Sequence, residues 1–212
     1  MSVRVSLSGH RYVVIDEVLP DSDAETVWQA FQALPMKPSE RGSNARRLDD
    51  GDAYHGVSKR FAVSDIGSAG TSLAQTVLSG SALAAPVIGA AGTEWTSFTL
   101  MPWRYPAGGQ LGWHNDGDSQ GSVTVAAYVW YVHRFWSASW SGDLLLLDEP
   151  ADAVRARAKY DLEVAIMLAD DPVCVLAKPN RLVLFKSDTY HMVRRVDRTA
   201  GNRHRSSFTG FF

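Results

Sequence analysis

The second half of the chain, after Gly92, is a succession of short apolar segments rich in Val, Leu, Trp, Tyr, Phe and Thr. These residue types favour β-strands. The segments are 95–103, 122–132, 142–147, 172–176, 181–185, 191–196 and 205–211. Turn-forming stretches such as 106–109 and 200–202 separate them. Seven or eight short strands of this kind indicate a sandwich or a barrel.

The first half mixes strands and helices. Residues 2–7 and 12–15 favour short strands, and Asp21 or Ser22 can cap a helix that runs to about Leu34. Residues 36–66 are polar and rich in turn formers, so we expect loops there with a short strand at 58–63. A second helix is predicted over 71–83.

The length of 212 residues suits one domain. We predict an N-terminal helical and strand support region over 1–93 and a strand-rich core over 94–212. A helix at about 152–167 interrupts the core, with apolar residues at helical spacing. It is either a lid over a substrate site or a cover for the sheet. The predicted fold class is mainly β with flanking helices.

Composition narrows the function classes. The single cysteine, Cys174, excludes an intramolecular disulfide framework and a cysteine-rich metal site. The net charge of −2 disfavours a general nucleic-acid binder, although 178–205 holds eight basic and two acidic residues. The N-terminus lacks the apolar core of a signal peptide, and no segment is apolar for long enough to cross a bilayer. We therefore expect a cytoplasmic protein with neither nucleic-acid nor membrane partners.

Two histidines and one carboxylate form a candidate metal site. In an extended segment His114 and Asp116 project to the same side, because side chains alternate along a strand. His191, on a distant strand, can complete a set of two imidazoles and one carboxylate. Such a set leaves coordination positions open, which suits Fe(II) that must also bind a cosubstrate and O₂. Asp118 is an alternative carboxylate, although a turn separates it from His114.

The last strand offers a candidate anion site. Arg205 and Ser207 lie on one face of it, and a guanidinium can pair with a carboxylate through two parallel hydrogen bonds. Arg203 has the same parity, so alternation alone does not separate it from Arg205. The Arg-x-Ser pattern and the distance to the terminal Gly-Phe-Phe favour Arg205.

From about residue 100 to 212, the sequence resembles the Fe(II)- and 2-oxoglutarate-dependent oxygenases, in particular their prolyl-hydroxylase-like branch. The first shared motif is the segment Tyr105-Pro-Ala-Gly that leads into His114-Asn-Asp116. The second is Trp136-Ser-Ala-Ser-Trp-Ser-Gly142-Asp143-Leu144, in which Asp143 replaces the second of two glycines. The third is Lys178-Pro-Asn-Arg-Leu-Val-Leu-Phe185, which precedes the strand of His191.

The resemblance implies a double-stranded β-helix, a jelly-roll of two sheets with the metal in its mouth. It implies His114, Asp116 and His191 as iron ligands and Arg205, assisted by Ser207, as the partner of the distal carboxylate of 2-oxoglutarate. The family places cosubstrate-binding tyrosines at the positions of Tyr105 and Tyr131.

The activity implied is hydroxylation of an unactivated C–H bond, with release of succinate and CO₂. Halogenating relatives replace the carboxylate ligand by a small residue, so the intact Asp116 favours hydroxylation, desaturation or cyclisation over chlorination. We expect a small-molecule substrate, such as an amino acid or a biosynthetic intermediate, with Trp103, Trp113 and Asn115 as candidate contacts. The alternatives are a protein side-chain hydroxylase, a cupin that does not use 2-oxoglutarate, and a non-catalytic jelly-roll binding protein.

Overall fold

The computed structural model describes residues 3–40, 50–66, 72–117, 124–158 and 161–212. Two antiparallel sheets make up the centre of the protein. The larger sheet contains, in spatial order, β1 (Arg4–Ser8), β2 (Tyr12–Asp16), β11 (Arg181–Lys186), β8 (Ala126–Tyr131), β13 (Arg205–Phe211), β6 (Ser97–Tyr105), β4 (Tyr54–His55) and β3 (Lys37–Pro38), and β5 (Lys59–Ala62) also pairs with β6. The smaller sheet contains β10 (Val173–Val175), β9 (Leu144–Pro150), β12 (Thr189–Val193) and β7 (Leu111–His114). The predicted mainly β fold is confirmed.

Alternation along the central strands divides the core into two layers. On β8, Tyr128 and Trp130 pack towards the helices, whereas Val129 and Tyr131 pack towards the smaller sheet. Strand β8 is buried at every position, so both of its faces are apolar. The layer between the sheets includes Leu144 and other residues of the smaller sheet. This inter-sheet layer is the interior into which the candidate site opens.

Three helices cover the outer face of the larger sheet: α1 (Asp21–Gln32), α2 (Ser72–Leu83) and α3 (Ala85–Ile88). The predicted cap by Asp21 or Ser22 is not observed, because Pro20 occupies the N-cap position with extended dihedral angles. Asp21 instead lies in the first turn, where its negative charge interacts favourably with the positive end of the helix dipole. At the other end, the Arg104 guanidinium donates hydrogen bonds to the carbonyls of Phe31 and Gln32.

The insertion in the core forms two short helices, α4 (Ala151–Arg157) and α5 (Leu162–Met167), rather than the one predicted over 152–167. Helix α4 ends before Ala158, which is extended, and the Asp161 side chain caps α5. Residues 159–160 lie outside the described part. Val154 and Ala165 pack with Leu147 and Tyr190 of the smaller sheet. This packing favours the second predicted use, a cover for the sheet, and the lid stays an untested alternative.

Several element boundaries differ from the predicted ones. Strand β12 begins at Thr189 and ends at Val193, whereas 191–196 was expected, because Val196 pairs only through an isolated bridge to Ser141. The predicted strand 122–132 is described from residue 124, and β8 begins at Ala126. The sequence does not predict the two short paired strands β3 and β4. Within the described ranges, no helix combines the length and apolar character needed to span a membrane. The division at residue 93 stays a prediction.

Candidate active site

His114, Asp116 and His191 converge on one point at the end of the smaller sheet. Their donor atoms all lie within 4.8 Å of one another. The Asp116 carboxylate is 3.8 Å from His114 Nε2 through one oxygen and 3.6 Å from His191 Nε2 through the other. The exposed fractions of the three side chains are 25% for His114, 15% for Asp116 and 7% for His191. The cluster is therefore recessed but still reachable from solvent.

Strand pairing produces this arrangement. His114 on β7 lies directly opposite His191 on β12, so the two imidazoles are cross-strand neighbours with ring centroids 4.1 Å apart. His191 also lies opposite Leu146 of β9, whose side chain belongs to the layer between the sheets. Because directly opposed residues share a face, both histidines point into that interior. Just past the end of β7, the Asp116 backbone N–H donates to the Ser187 carbonyl at 2.8 Å.

Backbone contacts set the tautomer of both imidazoles. His114 Nδ1 lies 2.8 Å from the Gly112 carbonyl, and His191 Nδ1 lies 2.9 Å from the Thr189 carbonyl. A carbonyl only accepts, so each Nδ1 carries the hydrogen and each neutral ring leaves Nε2 with a free lone pair. The two lone pairs face the Asp116 carboxylate. Metal-binding histidines are commonly held in this way.

Burial perturbs the charges of the cluster. Burial raises the pKa of Asp116 to about 6, against the lowering effect of His114. Burial also holds the pKa of His191 well below its usual value, with a further lowering by the charge of His114 and an opposing effect of the Thr189 hydrogen bond. A divalent cation between the donors would offset the cost of burying the carboxylate. Two imidazoles and one carboxylate form a donor set that fits Fe(II).

Arg205 is a fully buried cation on the opposite wall of the same interior. It is 0% exposed, and its Nε donates to the Gly142 carbonyl at 2.7 Å. Nη2 donates to the Tyr131 hydroxyl at 3.1 Å, and Nη1 lies 3.4 Å from Ser207 Oγ. Among the described residues, no carboxylate forms an ion pair with this guanidinium. A buried charge without a counter-ion is costly, which makes this position suited to an anionic ligand.

The neighbours of Arg205 are the ones that the sequence predicts. On β13, Arg205 lies opposite Tyr105 of β6, and Ser207 lies opposite Tyr131 of β8. The guanidinium lies over the Tyr131 ring at 4.7 Å and over the Tyr105 ring at 5.4 Å. Burial raises the pKa of Tyr131, although the charge of Arg205 opposes this shift. The Tyr131 phenol is therefore neutral and keeps its proton for donation.

Two supporting residues of this wall were not predicted. Gly142 has a φ of +73°, and a Cβ there would lie 3.1 Å from Arg205 Cδ. The sequence signals were its place before a strand and its position as the first glycine of the second shared motif. Asp143, which replaces a family glycine, is 3% exposed and forms an ion pair with Arg194 at 3.4 Å. Its carboxylate also interacts electrostatically with Arg205 from beyond ion-pair distance.

The candidate substrate residues are less well grouped. Trp103 stacks on Tyr105 with centroids 5.9 Å apart, so it lines the same wall. Trp113 packs instead against the apolar cluster beneath the insertion, on the outer face of the smaller sheet. The Asn115 side chain accepts a hydrogen bond from the Gly117 backbone N–H and so shapes the turn after β7.

The sequence leaves an alternative open for the carboxylate ligand and another for the arginine that binds the anion. Asp118, the competing carboxylate, lies outside the described residues. Arg203 is exposed, and its guanidinium lies 4.8 Å from the Trp140 ring, whereas Arg205 is buried beside the predicted tyrosines.

Asp50 supports the metal strand and was missed by sequence reasoning. Its carboxylate is fully buried and accepts a hydrogen bond from the Gly112 backbone N–H at 2.9 Å. The same residue 112 supplies the carbonyl that holds His114 Nδ1. Asp50 comes from a polar stretch where the sequence predicted only loop, and it carries no local signal of this contact.

Comparisons with known proteins agree with this geometry. A family model for the 2OG-Fe(II) oxygenase superfamily matches residues 100–212, somewhat more than half of the chain. A search among curated proteins finds no significant match. Among solved structures, a Pseudomonas putida prolyl-4-hydroxylase is similar with a TM-score of 0.63 and 18% identity, over 96% of this chain and 92% of that one.

Two further structures are similar in fold. A Trichoplax adhaerens prolyl hydroxylase, in complex with a peptide fragment of the hypoxia inducible factor oxygen degradation domain, has a TM-score of 0.58 and 17% identity over 95% of this chain and 83% of that one. The non-heme alpha ketoglutarate dependent epimerase SnoN from nogalamycin biosynthesis has a TM-score of 0.56 and 13% identity over 94% of this chain and 76% of that one. The fold is therefore a double-stranded β-helix, and the chain belongs to the 2OG-Fe(II) oxygenase superfamily, whose members are dioxygenases that use Fe(II), 2-oxoglutarate and O₂.

Proposed function

We propose that this protein is a 2-oxoglutarate-dependent hydroxylase of a small molecule, such as an amino acid or a biosynthetic intermediate. His114, Asp116 and His191 hold the iron, and Arg205 holds the cosubstrate. The observation that carries the proposal is the buried Arg205 guanidinium, which lacks a carboxylate partner among the described residues and faces the same interior as the triad.

In this proposal the triad binds the metal through three donors. His114 and His191 supply the Nε2 lone pairs that their Nδ1 hydrogen bonds leave free, and Asp116 supplies a carboxylate oxygen. When bound, Fe(II) with 2-oxoglutarate and O₂ supplies the oxidising power for hydroxylation, and succinate and CO₂ are the coproducts. The chain contributes a fixed orientation of the ligands and shields His191, which is 7% exposed, from bulk water.

The opposite wall binds the distal carboxylate of 2-oxoglutarate. Arg205 supplies the charge and two Nη groups, Tyr131 supplies a neutral hydroxyl, and Ser207 assists. The Tyr105 ring packs against the guanidinium. In a buried setting, a carboxylate paired with a guanidinium and hydroxyl donors is held more firmly than in water.

The substrate class is the finer part of the proposal. The helices α1 to α5 pack against the outer faces of the two sheets, so they are committed to the core rather than to a peptide groove. This favours a small molecule that enters the recessed site, with Trp103 as a wall. The second candidate is a protein side chain, as in the Trichoplax adhaerens relative that was solved with a peptide fragment.

The test is an anaerobic titration of the metal-free protein with Fe(II) and then with 2-oxoglutarate. We expect the weak visible metal-to-ligand charge-transfer band of the chelate in the wild type and its loss in His191→Ala. Arg203→Ala is the matched control, since Arg203 is exposed and should leave the band unchanged. Succinate release is then screened with free amino acids and with proline-containing peptides.

The outcomes separate the alternatives. Succinate release that is stimulated by a small molecule and not by peptides supports the proposal. Stimulation by peptides alone selects the protein-hydroxylase alternative. A folded wild type that binds Fe(II) but gives no band on addition of 2-oxoglutarate would contradict the assigned cosubstrate site.

A further inference from the structure

Arg11, outside the region that the family model matches, holds the turn between β11 and β12. The residue is 7% exposed and immediately precedes β2. Its Nη2 forms an ion pair with Asp188, its Nε donates to Thr189 Oγ1 at 3.2 Å, and its carbonyl accepts from the Lys186 N–H at 3.0 Å. One residue therefore contacts the turn 186–189 at three points.

The backbone of Arg11 is itself fixed. The carboxylate of Asp148, on β9, accepts hydrogen bonds from the backbone N–H groups of Arg11 at 2.7 Å and His10 at 2.9 Å. Arg11 is thus attached to the smaller sheet through β9 and to the turn through its side chain. It ties together the two sheets at the end where the triad lies.

The turn 186–189 supports two of the three metal donors. The Thr189 carbonyl accepts from His191 Nδ1 at 2.9 Å, and the Ser187 carbonyl accepts from the Asp116 backbone N–H at 2.8 Å. A shift of this turn would rotate the His191 imidazole and move Asp116 together. Hydrogen-bond partners of metal ligands commonly change metal affinity by about 10- to 100-fold when they are lost.

We propose that Arg11 is a positioning residue for the metal triad: its three contacts with the turn 186–189 hold the two carbonyls that orient His191 and Asp116. This inference rests on the proposed role of the triad in binding metal. Arginine suits the task because its planar guanidinium reaches Asp188 and Thr189 at once, whereas a lysine offers a single point charge.

A matched control exists on the same pair of strands. Arg181 of β11 and Asp16 of β2 form a buried bidentate pair, with distances of 2.6 and 2.9 Å. The Arg181 side chain is 8% exposed, close to the 9% of Arg11. The Arg181 guanidinium donates to the Asp16 carboxylate and to the Leu176 carbonyl, and neither contact involves the turn 186–189. Arg181→Lys therefore perturbs an equally buried arginine without touching the supports of the triad, although Asp188 is 50% exposed and Asp16 is 11% exposed.

The experiment compares Arg11→Lys with Arg181→Lys in the full chain. Affinity for Fe(II) is measured anaerobically by competition with a chelating dye, and Co(II) serves as an air-stable second probe. We expect about tenfold weaker metal binding in Arg11→Lys and less than about twofold change in Arg181→Lys. Thermal unfolding is measured for both, and we expect both variants to be less stable than the wild type.

A second readout uses the metal-free protein. Nitrogen-15 NMR of the imidazoles reports the tautomer, and we expect His191 to lose its preference for the Nδ1–H form in Arg11→Lys but not in Arg181→Lys. If Arg11→Lys does not fold, Thr189→Val takes its place, since it removes only the Oγ1 acceptor and keeps the side-chain shape. We expect this variant to weaken metal binding by a few fold, within the range for lost supports.

The results have distinct meanings. Unchanged metal affinity and unchanged His191 tautomer in folded Arg11→Lys, or in Thr189→Val if the former is unfolded, overturn the positioning role. Equal weakening by Arg11→Lys and Arg181→Lys also overturns it, because stability alone would then explain the effect. A wild type that binds no Fe(II) would instead contradict the proposed function, and the NMR comparison would still decide the inference.

Discussion

Replacing Arg205 by Met should separate ligand binding from stability. The guanidinium is 0% exposed and donates to the Gly142 carbonyl at 2.7 Å and the Tyr131 hydroxyl at 3.1 Å. No ion pair joins it to a carboxylate of the described part of the chain. Methionine keeps much of the side-chain length and removes the charge. The buried charge of the wild-type protein therefore carries a cost that an anionic ligand would reduce.

The expected magnitude follows from that burial. Removing one partner of a buried ion pair costs about 3–5 kcal/mol, and about 1.4 kcal/mol corresponds to a tenfold change in affinity. Arg205→Met should thus weaken 2-oxoglutarate binding by roughly two to three and a half orders of magnitude. The ligand-free variant loses one buried charge and three hydrogen bonds, one of them long, so its stability should change by no more than about 1–2 kcal/mol.

The assay is calorimetric titration of metal-loaded protein with 2-oxoglutarate without O₂, together with urea unfolding of the ligand-free protein. The matched variant is Arg181→Met, which removes the bidentate partner of the buried Asp16 carboxylate and leaves it only the exposed Arg4 at 4.0 Å. It should cost up to about 3–5 kcal/mol of stability. Its 2-oxoglutarate affinity should stay close to that of the wild type.

The reasoning is refuted if Arg205→Met binds 2-oxoglutarate within about fivefold of the wild type, a change of only about 1 kcal/mol. It is also refuted if the ligand-free Arg205→Met is destabilised as much as Arg181→Met. That result would mean that the Arg205 charge is already compensated within the protein.

Four further outcomes are expected. Asp116→Ala should abolish 2-oxoglutarate-coupled hydroxylation, because the only carboxylate of the described triad is lost; full activity in a succinate-release assay would remove Asp116 from the ligand set. Ser207→Ala should weaken 2-oxoglutarate binding by about tenfold or less, because the 3.4 Å distance between Ser207 Oγ and Arg205 Nη1 is long for a hydrogen bond. A loss of affinity as large as that of Arg205→Met would contradict an assisting role. Leu144→Ala should cost about 2–5 kcal/mol in urea unfolding, because this fully buried side chain fills the layer between the sheets, and a cost below about 1 kcal/mol would contradict that packing. Burial would raise the pKa of Asp16, but the hydrogen bond and the charge of Arg181 hold that pKa below its usual 3.8. The stability advantage of the wild type over Asp16→Asn should therefore be full at neutral pH and shrink as the pH falls below about 4. An advantage that grows on acidification would contradict the lowered pKa.

Local patterns predicted much of the candidate site because its residues alternate along single strands. The parity of Arg205 and Ser207 places both on the face of β13 that meets Tyr131 and Tyr105. Its position beside His114 in the sequence predicts Trp113 as a substrate contact. Adjacent strand residues point to opposite faces, so it lies beneath the insertion instead.

Residues that support the site from distant parts of the chain show no alternation that would predict their role. Arg11 meets Asp188 and Thr189, and Asp50 meets the backbone of Gly112, from segments whose local sequence predicts only a strand or a loop. Buried polar residues of this kind show no periodicity in the sequence, because each one is required by the particular distant group with which it forms a hydrogen bond. The insertion similarly has helical spacing, but its spacing could not tell a lid from a cover.

The amino-acid sequence by itself therefore determined the mainly β fold, the family and the chemical types at the site, because strand alternation, turn residues and motif order are local properties. The tertiary structure alone decided that His114 faces His191, that Arg205 is buried without a carboxylate partner in the described chain, and that Arg11 holds the turn supporting the triad. The physical reason is that pairing register and the satisfaction of buried charges depend on groups from distant parts of the chain, which meet only when the two sheets pack together.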